Sequence, residues 1–355
     1  MENIPNNIDK YNVLNFSSRR DSYKIINLWN SEVGHIFPIS RKMFNQNICD
    51  SKYLDYECSY VVYDGKNLVG FILGKIYDNN EIIEKYINKG WISLVYVKRE
   101  YRKQGIGSFL LDKLELEMRK KNVYYTAIGS DLDCFFPGIP NDFDNLSDKF
   151  FKKRGYIMGY YTHDLVKKLN KFDVNIFNEY VINNEKLSKD ITVCYASIDD
   201  KEILLNFLKK CFYGRWYFEA LEYFENAEKN IDSINEEYLI AKVKCDNDLE
   251  NLNKNCYKVV GFLRVNKQLI NKISYNIMWS KRFKKLVGIG PLGVDIDYRK
   301  QGIATYLLLY AFKDCFENNY SDAMIDWTGL VTYYQKFGFQ VWKCYQYANK
   351  ELLDK

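Results

Sequence analysis

The sequence predicts an α/β fold built twice along one chain. Three observations carry this reading. The hexapeptide YRKQGI occurs at Tyr101–Ile106 and again at Tyr298–Ile303, so that Arg102 and Arg299 lie 197 residues apart, a domain-sized period. Each copy is preceded by a strand-like stretch, "WISLVYV" and "GIGPLGV", that ends five residues before its arginine. Flanking segments recur in the same order: "NLVGFILGKI" matches "KVVGFLRVNK", and "FFKKRGY" matches "YYQKFGF".

Within each copy the local pattern is strand, basic turn, helix. Ile92–Val97 is rich in β-branched residues and predicts a buried strand. After the turn, Ile106, Leu110, Leu114 and Met118 recur every four residues, the spacing of one helical face. Ile303, Leu307, Ala311 and Cys315 repeat it. The polar stretch 170–190 lacks a clean apolar period and predicts a linker between domains at 1–169 and 191–355, although Phe172, Ile176, Tyr180 and Val181 could also form a docked helix. "ITVCYAS" restarts a strand pattern at Ile191.

Bulk composition agrees with two packed domains. The chain has 355 residues, 47% of them hydrophobic and 17% aromatic, enough for two cores. A net charge of +5 from 51 basic and 46 acidic residues gives no push towards nucleic acid. Nine cysteines without a CxxC pair predict reduced thiols in a cytoplasmic protein. The opening residues lack the basic and apolar regions of a leader, and no apolar run is long enough to span a membrane. Only His35 and His163 are present, in no ligand-like spacing, so neither a metal site nor a histidine triad is predicted.

A glycine-containing turn that opens a helix exposes unpaired backbone N–H groups at a positive dipole end. Such a terminus suits a phosphate or pyrophosphate, with glycine allowing close approach and Arg102 or Arg299 adding a charge-assisted contact. A solvated basic turn before a surface helix is the alternative; its repetition in matched context favours the anion site. No G-x-x-x-x-G-K-[ST] motif exists. Gly288, Gly290 and Gly293 spell G-x-G-x-x-G, but the stretch continues as a strand and contains Pro291, so the dinucleotide reading fails.

These motifs resemble the GNAT superfamily of acetyl-CoA-dependent N-acetyltransferases, which carry a hydrophobic strand, R/Q-x-x-G-x-G/A opening a helix, and then a Y-x-K-x-G-F segment. The counterparts here are "LVYVKREYRKQGIG" with "FFKKRGY", and "PLGVDIDYRKQGIA" with "YYQKFGF". The resemblance covers both halves, as in tandem GNAT proteins of bacteria. It implies two domains, each a mixed, mostly antiparallel sheet flanked by helices. It further implies that Arg102, Lys103, Gln104, Gly105, Ile106 and Gly107 cradle the pyrophosphate of acetyl-CoA, as do Arg299, Lys300, Gln301, Gly302, Ile303 and Ala304. Val95, Tyr96 and Val97, and Leu292, Gly293 and Val294, would line the pantetheine arm, one amide polarising the thioester carbonyl. Each copy supplies one clear terminal strand where the family has two, leaving a lost strand or an exchanged strand as the options.

The copies differ where the resemblance places the general acid. Tyr334 stands four residues before Gly338, whereas Phe151 stands four before Gly155. A tyrosine stays protonated at neutral pH and can serve a departing thiolate; phenylalanine cannot. The C-terminal copy is therefore expected to react, and the N-terminal copy to bind acyl-CoA without reacting. Asp326, at a predicted strand end, is placed to hold a cationic substrate or take its proton. Trp327 stands where many family members carry asparagine. The first copy is longer, with 49 residues from Arg102 to Phe151 against 35 from Arg299 to Tyr334. Its insertion, "SDLDCFFPGIPNDFDNLSDK", reads as an acceptor-site lid, an interdomain contact or a packed surface segment. "YGRWYFEALEYF" sets aromatics and Arg215 on a helix, with packing the favoured role. The expected acceptor is a small-molecule amine; a non-catalytic acyl-CoA-binding module and a modifier of protein lysines or N-termini are the rivals.

Overall fold

A computed structural model describes residues 8–77, 86–143, 146–229, 236–244, 257–267 and 273–353. The first seven residues, Cys245, Cys256 and insertion residues 144–145 lie outside them. The first half runs β1 (Asn12–Asn15), α1 (Ser18–Glu32), α2 (Arg41–Phe44), β2 (Leu54–Asp64), β3 (Asn67–Ile76), β4 (Lys89–Val97), α3 (Ile106–Lys120), β5 (Tyr125–Ile128), β6 (Ile139–Pro140), α4 (Leu146–Lys153) and β7 (Ile157–Lys168). Two helices follow, α5 (Asn175–Asn183) and α6 (Glu185–Asp190). The second half runs β8 (Ile191–Tyr195), α7 (Lys201–Cys211), α8 (Arg215–Lys229), β9 (Tyr238–Lys244), β10 (Tyr257–Asn266), β11 (Leu286–Val294), α9 (Ile303–Glu317), β12 (Asp322–Thr328), α10 (Val331–Gln335) and β13 (Gln340–Glu351).

The chain divides into two compact units. Unit 1 comprises 1–164 with 327–331 and 341–355; unit 2 comprises 165–326 with 332–340. Unit 1 orders its strands β1-β2-β3-β4-β5-β13. The β4–β5 pair is parallel, while β13 meets β5 antiparallel through Asn349–Ala127, Lys350–Thr126 and Glu351–Tyr125. Ala348 and Leu352 join Ile72, Leu110, Leu114, Met118 and Phe151 in one buried cluster. Polar ties reinforce this strand: Arg119 Nε donates to the Leu352 carbonyl at 3.0 Å, and Lys350 Nζ lies 2.7 Å from Glu115.

Unit 2 orders its strands β12-β11-β10-β9-β8. Leu204, Phe207, Leu208, Ala220, Phe224, Tyr238 and Phe262 form a buried core there. The end of β7 belongs to this unit too: Lys168 Nζ pairs with Asp322 at 2.6 Å, and Leu169 N donates to Ser321 O at 3.0 Å.

Each unit is thus completed by strand residues from the other half of the sequence, which accounts for the single clear terminal strand per copy. These units cut the chain differently from the boundaries 1–169, 170–190 and 191–355. The physical reason is burial: Ala348 and Leu352 fill unit 1's core, and residues 170–190 form two helices of unit 2. Leu352→Ala should cost unit 1 about 2 kcal/mol by loss of buried surface. Urea unfolding measures it; a change under about 0.5 kcal/mol, the range of neutral surface substitutions, would show that the strand is not integral.

Candidate active site

The site begins where two parallel strands stop pairing. In unit 1 the β4–β5 ladder runs from Lys89–Tyr125 to Ile92–Ile128 and ends. In unit 2 the β11–β12 ladder runs from Leu286–Asp322 to Gly288–Met324 and ends. Beyond those points Val95, Tyr96 and Val97 pair only backwards, with Ile72, Phe71 and Gly70. Leu292, Gly293 and Val294 likewise pair with Leu263, Phe262 and Gly261. A register shift interrupts both antiparallel ladders, opposite Ser93 in one and opposite Gly290 and Pro291 in the other. Such bulges re-aim a strand, often beside active sites. In unit 2 the bulge is clamped from the side, because Asn266 Nδ2 and Asn276 Nδ2 each donate to the Gly290 carbonyl at 3.2 Å.

The two YRKQGI turns fold alike. Lys103 and Lys300 adopt left-handed φ of 60° and 62°, and Gly105 and Gly302 have φ of 89° and 92°. Gln104 Nε2 donates to Glu100 O, and Gln301 Nε2 to Asp297 O, at 3.1 and 3.3 Å. Ile106 and Ile303 anchor the helix starts in their cores. Arg102 Nε donates to Val97 O at 3.0 Å, and Arg299 Nε to Val294 O at 3.2 Å. Each arginine therefore ties its turn to the strand that precedes it, a role beyond the anion contact expected of it. The first-turn amides of α3 and α9, at Gly107 and Ala304 among others, are the orphan donors of a helix start. The residues present fit a pyrophosphate cradle in both copies.

A side chain at position 107 would have room, with Phe150 at 3.7 Å, in agreement with Ala304 at the matching position. A Cβ at Gly302 would collide with Tyr180 Oη and meet Leu187 at 3.3 Å.

The reacting ends differ. In unit 2, Asp326 stands two residues past the last parallel pair. Burial pushes its carboxyl up to about 6, against the opposing pull of the Arg215 guanidinium. Tyr334, on α10, is held well above the ordinary tyrosine value by burial, then by Tyr333 and by the Asp326 charge. Its ring packs on Tyr333 and Phe339. Among the described residues no hydrogen bond engages its hydroxyl.

In unit 1 the positions equivalent to Asp326 and Tyr334 are Gly129 and Phe151, the latter buried in the core. The bulge of unit 1 is held by a buried charge pair. Lys75 Nζ pairs with Asp131 at 2.6 Å and donates to the carbonyls of Leu132 and Asp133, while Ser93 Oγ donates to Asp131 at 2.8 Å. Phe135 and Phe136 of the insertion are buried, Phe136 against Phe37 at 4.9 Å. The insertion is thus a packed segment of unit 1.

Sequence reasoning missed a charge network in unit 2. Arg264 Nε donates to Glu237 at 2.5 Å and Nη1 to Glu219 at 2.9 Å. Glu219 also accepts from Arg215 Nε at 2.6 Å, and the Arg215 guanidinium lies 4.0 Å from the centre of the Tyr275 ring. Two signals pointed to it: an arginine inside the apolar run "GFLRVN", and Glu219 four residues after Arg215 on one helical face. Among the described residues no group of three metal-ligating side chains occurs, and no helix is long and apolar enough to cross a membrane.

With this geometry in hand, comparison is informative. The model of the "Acetyltransferase (GNAT) family" matches residues 23–133 and 202–339. A solved structure of a glucosamine N-acetyltransferase region in a fungal multi-domain GH3 β-N-acetylglucosaminidase is similar, with TM-score 0.75 and 19% identity over 96% of this chain. The chain spans 38% of that protein. A tandem GNAT protein from the clavulanic acid biosynthesis pathway has TM-score 0.61 and 12% identity, covering 97% of this chain and 99% of its own. A GCN5-related N-acetyltransferase from Sphaerobacter thermophilus has TM-score 0.61 and 13% identity, covering 98% and 97%. At these identities the likeness is one of fold. Among curated proteins no sequence matches.

The turn geometry sets an expectation. Gly302→Ala should cost more than the about 1–3 kcal/mol of its left-handed φ alone, because the new Cβ also meets Tyr180. Urea unfolding of Gly302→Ala in the native and Tyr180→Ala backgrounds tests this; equal losses would show that Tyr180 does not restrict the second turn.

Proposed function

This chain belongs to the acetyltransferase (GNAT) family, and from that premise we propose that unit 2 transfers an acetyl group from acetyl-CoA to the primary amine of a small molecule. The observation that carries the proposal is the placing of Asp326 and Tyr334 around the end of the β11–β12 ladder, where unit 1 has Gly129 and Phe151. Acetyl-CoA would supply the acyl group, already activated as a thioester. Residues Arg299 to Ala304 would hold its pyrophosphate on backbone N–H groups, and the free edge of Leu292 to Val294 would take the extended arm.

The residues of this chain then have distinct tasks. Asp326, ionised at neutral pH, takes the proton of the bound ammonium and leaves a neutral amine able to attack. Tyr334 remains protonated and is the proton donor for the leaving sulfur. Holding both reactants in one cleft contributes through proximity, with no covalent enzyme intermediate. Unit 1 is read as a companion that binds acyl-CoA without turnover. Gly129 and Phe151 support this, since neither side chain can take or give a proton at the positions of Asp326 and Tyr334.

Tyr334→Phe and Asp326→Asn should each lower kcat about 10²–10⁴-fold, measured as free thiol released from acetyl-CoA across an amine panel that includes an amino sugar. Full turnover by either variant removes that residue from the mechanism. The pH dependence has a definite sign. A base whose carboxyl titrates near 6 is active when deprotonated, so kcat/KM should fall as pH drops through about 6. Asp326→Asn should abolish that acid limb; its survival would place the base elsewhere.

A further inference from the structure

The helices between the two halves lie on the second cradle. Tyr180 Oη donates to the Gly302 carbonyl at 2.8 Å. Its ring rests against Tyr306, one turn along α9, with centroids 6.2 Å apart. Phe177, one turn earlier on α5, meets Tyr306 and Tyr310 at 6.1 and 6.0 Å, under the Lys313 ammonium. Leu187 of α6 approaches the same side of Gly302, 3.3 Å from where a Cβ would stand. The space that glycine leaves for a close ligand is therefore taken by this chain's own phenol. Nearby, Thr305 lies beside the Tyr180 and Tyr333 hydroxyls, and burial, then the Tyr333 charge, raises the Tyr180 phenol.

The hold of these helices is light. No residue of α5 is fully buried, and a nine-residue helix is marginal without tertiary contacts. Segments of this kind occupy the low-stability end of a fold and open locally.

From this we infer that α5 and α6 form an autoinhibitory strap, Tyr180 and Leu187 occupying the second cradle until a CoA pyrophosphate displaces them. The inference rests on the placing of acetyl-CoA at Arg299–Ala304 proposed above. The strap makes donor binding in unit 2 weaker than the bare turn would give, because part of the binding energy goes into lifting it.

The test is calorimetric titration of the full chain with coenzyme A. Ala304→Asp identifies the second cradle: an acidic residue in the first turn is compatible with the helix dipole but repels phosphate. Tyr180→Phe, which removes only the hydroxyl, and Leu187→Ala should each tighten the Ala304-sensitive site, together about tenfold, equivalent to one hydrogen bond and its packing. Coenzyme A should also speed tryptic cleavage after the exposed Lys186 and Lys189. Unchanged or weakened binding in both variants, or protection of those lysines, overturns the strap; weakened binding would make Tyr180 a ligand contact. Binding that Ala304→Asp leaves intact overturns the donor placement itself, and is thereby distinguishable from failure of the strap alone.

Discussion

The parallel ladder between β11 and β12 ends after Gly288 and Met324, and the chemistry available to unit 2 follows from that ending. Continued pairing would saturate both strands and leave no peptide edge for a ligand. The ladder is broken by construction: Pro291 lacks an N–H, the bulge at Gly290 and Pro291 turns β11, and the two asparagine amides clamp the Gly290 carbonyl. A Cβ at Gly288 would strike Asn276, so glycine there is what lets the clamp close. The opening brings together a strand edge, a helix N-terminus and a carboxylate, each with unspent hydrogen-bonding capacity.

Unit 1 obeys the same constraint with a different outcome. Its ladder ends at Ile92–Ile128 and its bulge falls at Ser93. Beside that bulge lies a buried Lys75–Asp131 pair, in which Lys75 also donates to two carbonyls and Asp131 Oδ2 accepts from Ser93, while Asp131 Oδ1 has no hydrogen-bond partner among the described residues. Loss of either partner would leave a buried charge uncompensated. The identical turn serves both units. What separates them is the lining: Gly129 against Asp326, Phe151 against Tyr334.

Much of this was legible in the sequence because the informative features are local. The strand, basic turn and four-residue apolar spacing lie within one short window, and the left-handed Gly105 and Gly302 follow from their residue type, whereas the left-handed Lys103 and Lys300 do not. Tyr334 and Asp326 were legible as candidates by the family resemblance and by a strand-end position, each a feature of one short segment. The exchanged strands were not, since β13 pairs with β5 more than 200 residues earlier and no local pattern encodes such a partner. Tyr180 was also hidden, as one aromatic in a polar stretch that suits a linker as well as a docked helix. The Arg264 network needed three elements to converge.

That network bears on how the site is tuned. Arg264 lies between Glu219 and Glu237, and Glu219 bridges on to Arg215. Held pairs of this kind are seldom better for stability than apolar packing of equal volume. Unit 1 makes the comparison directly: at the same bulge the strand carries Leu73, paired with Leu94 and fully buried. The fold is therefore satisfied by leucine, and charge at this position serves something other than folding. Burial raises the carboxyl of Asp326 to about 6 against the downward pull of Arg215, and Glu219 adds a smaller upward push. A carboxyl poised there suits the ammonium-binding and proton-accepting role proposed for it.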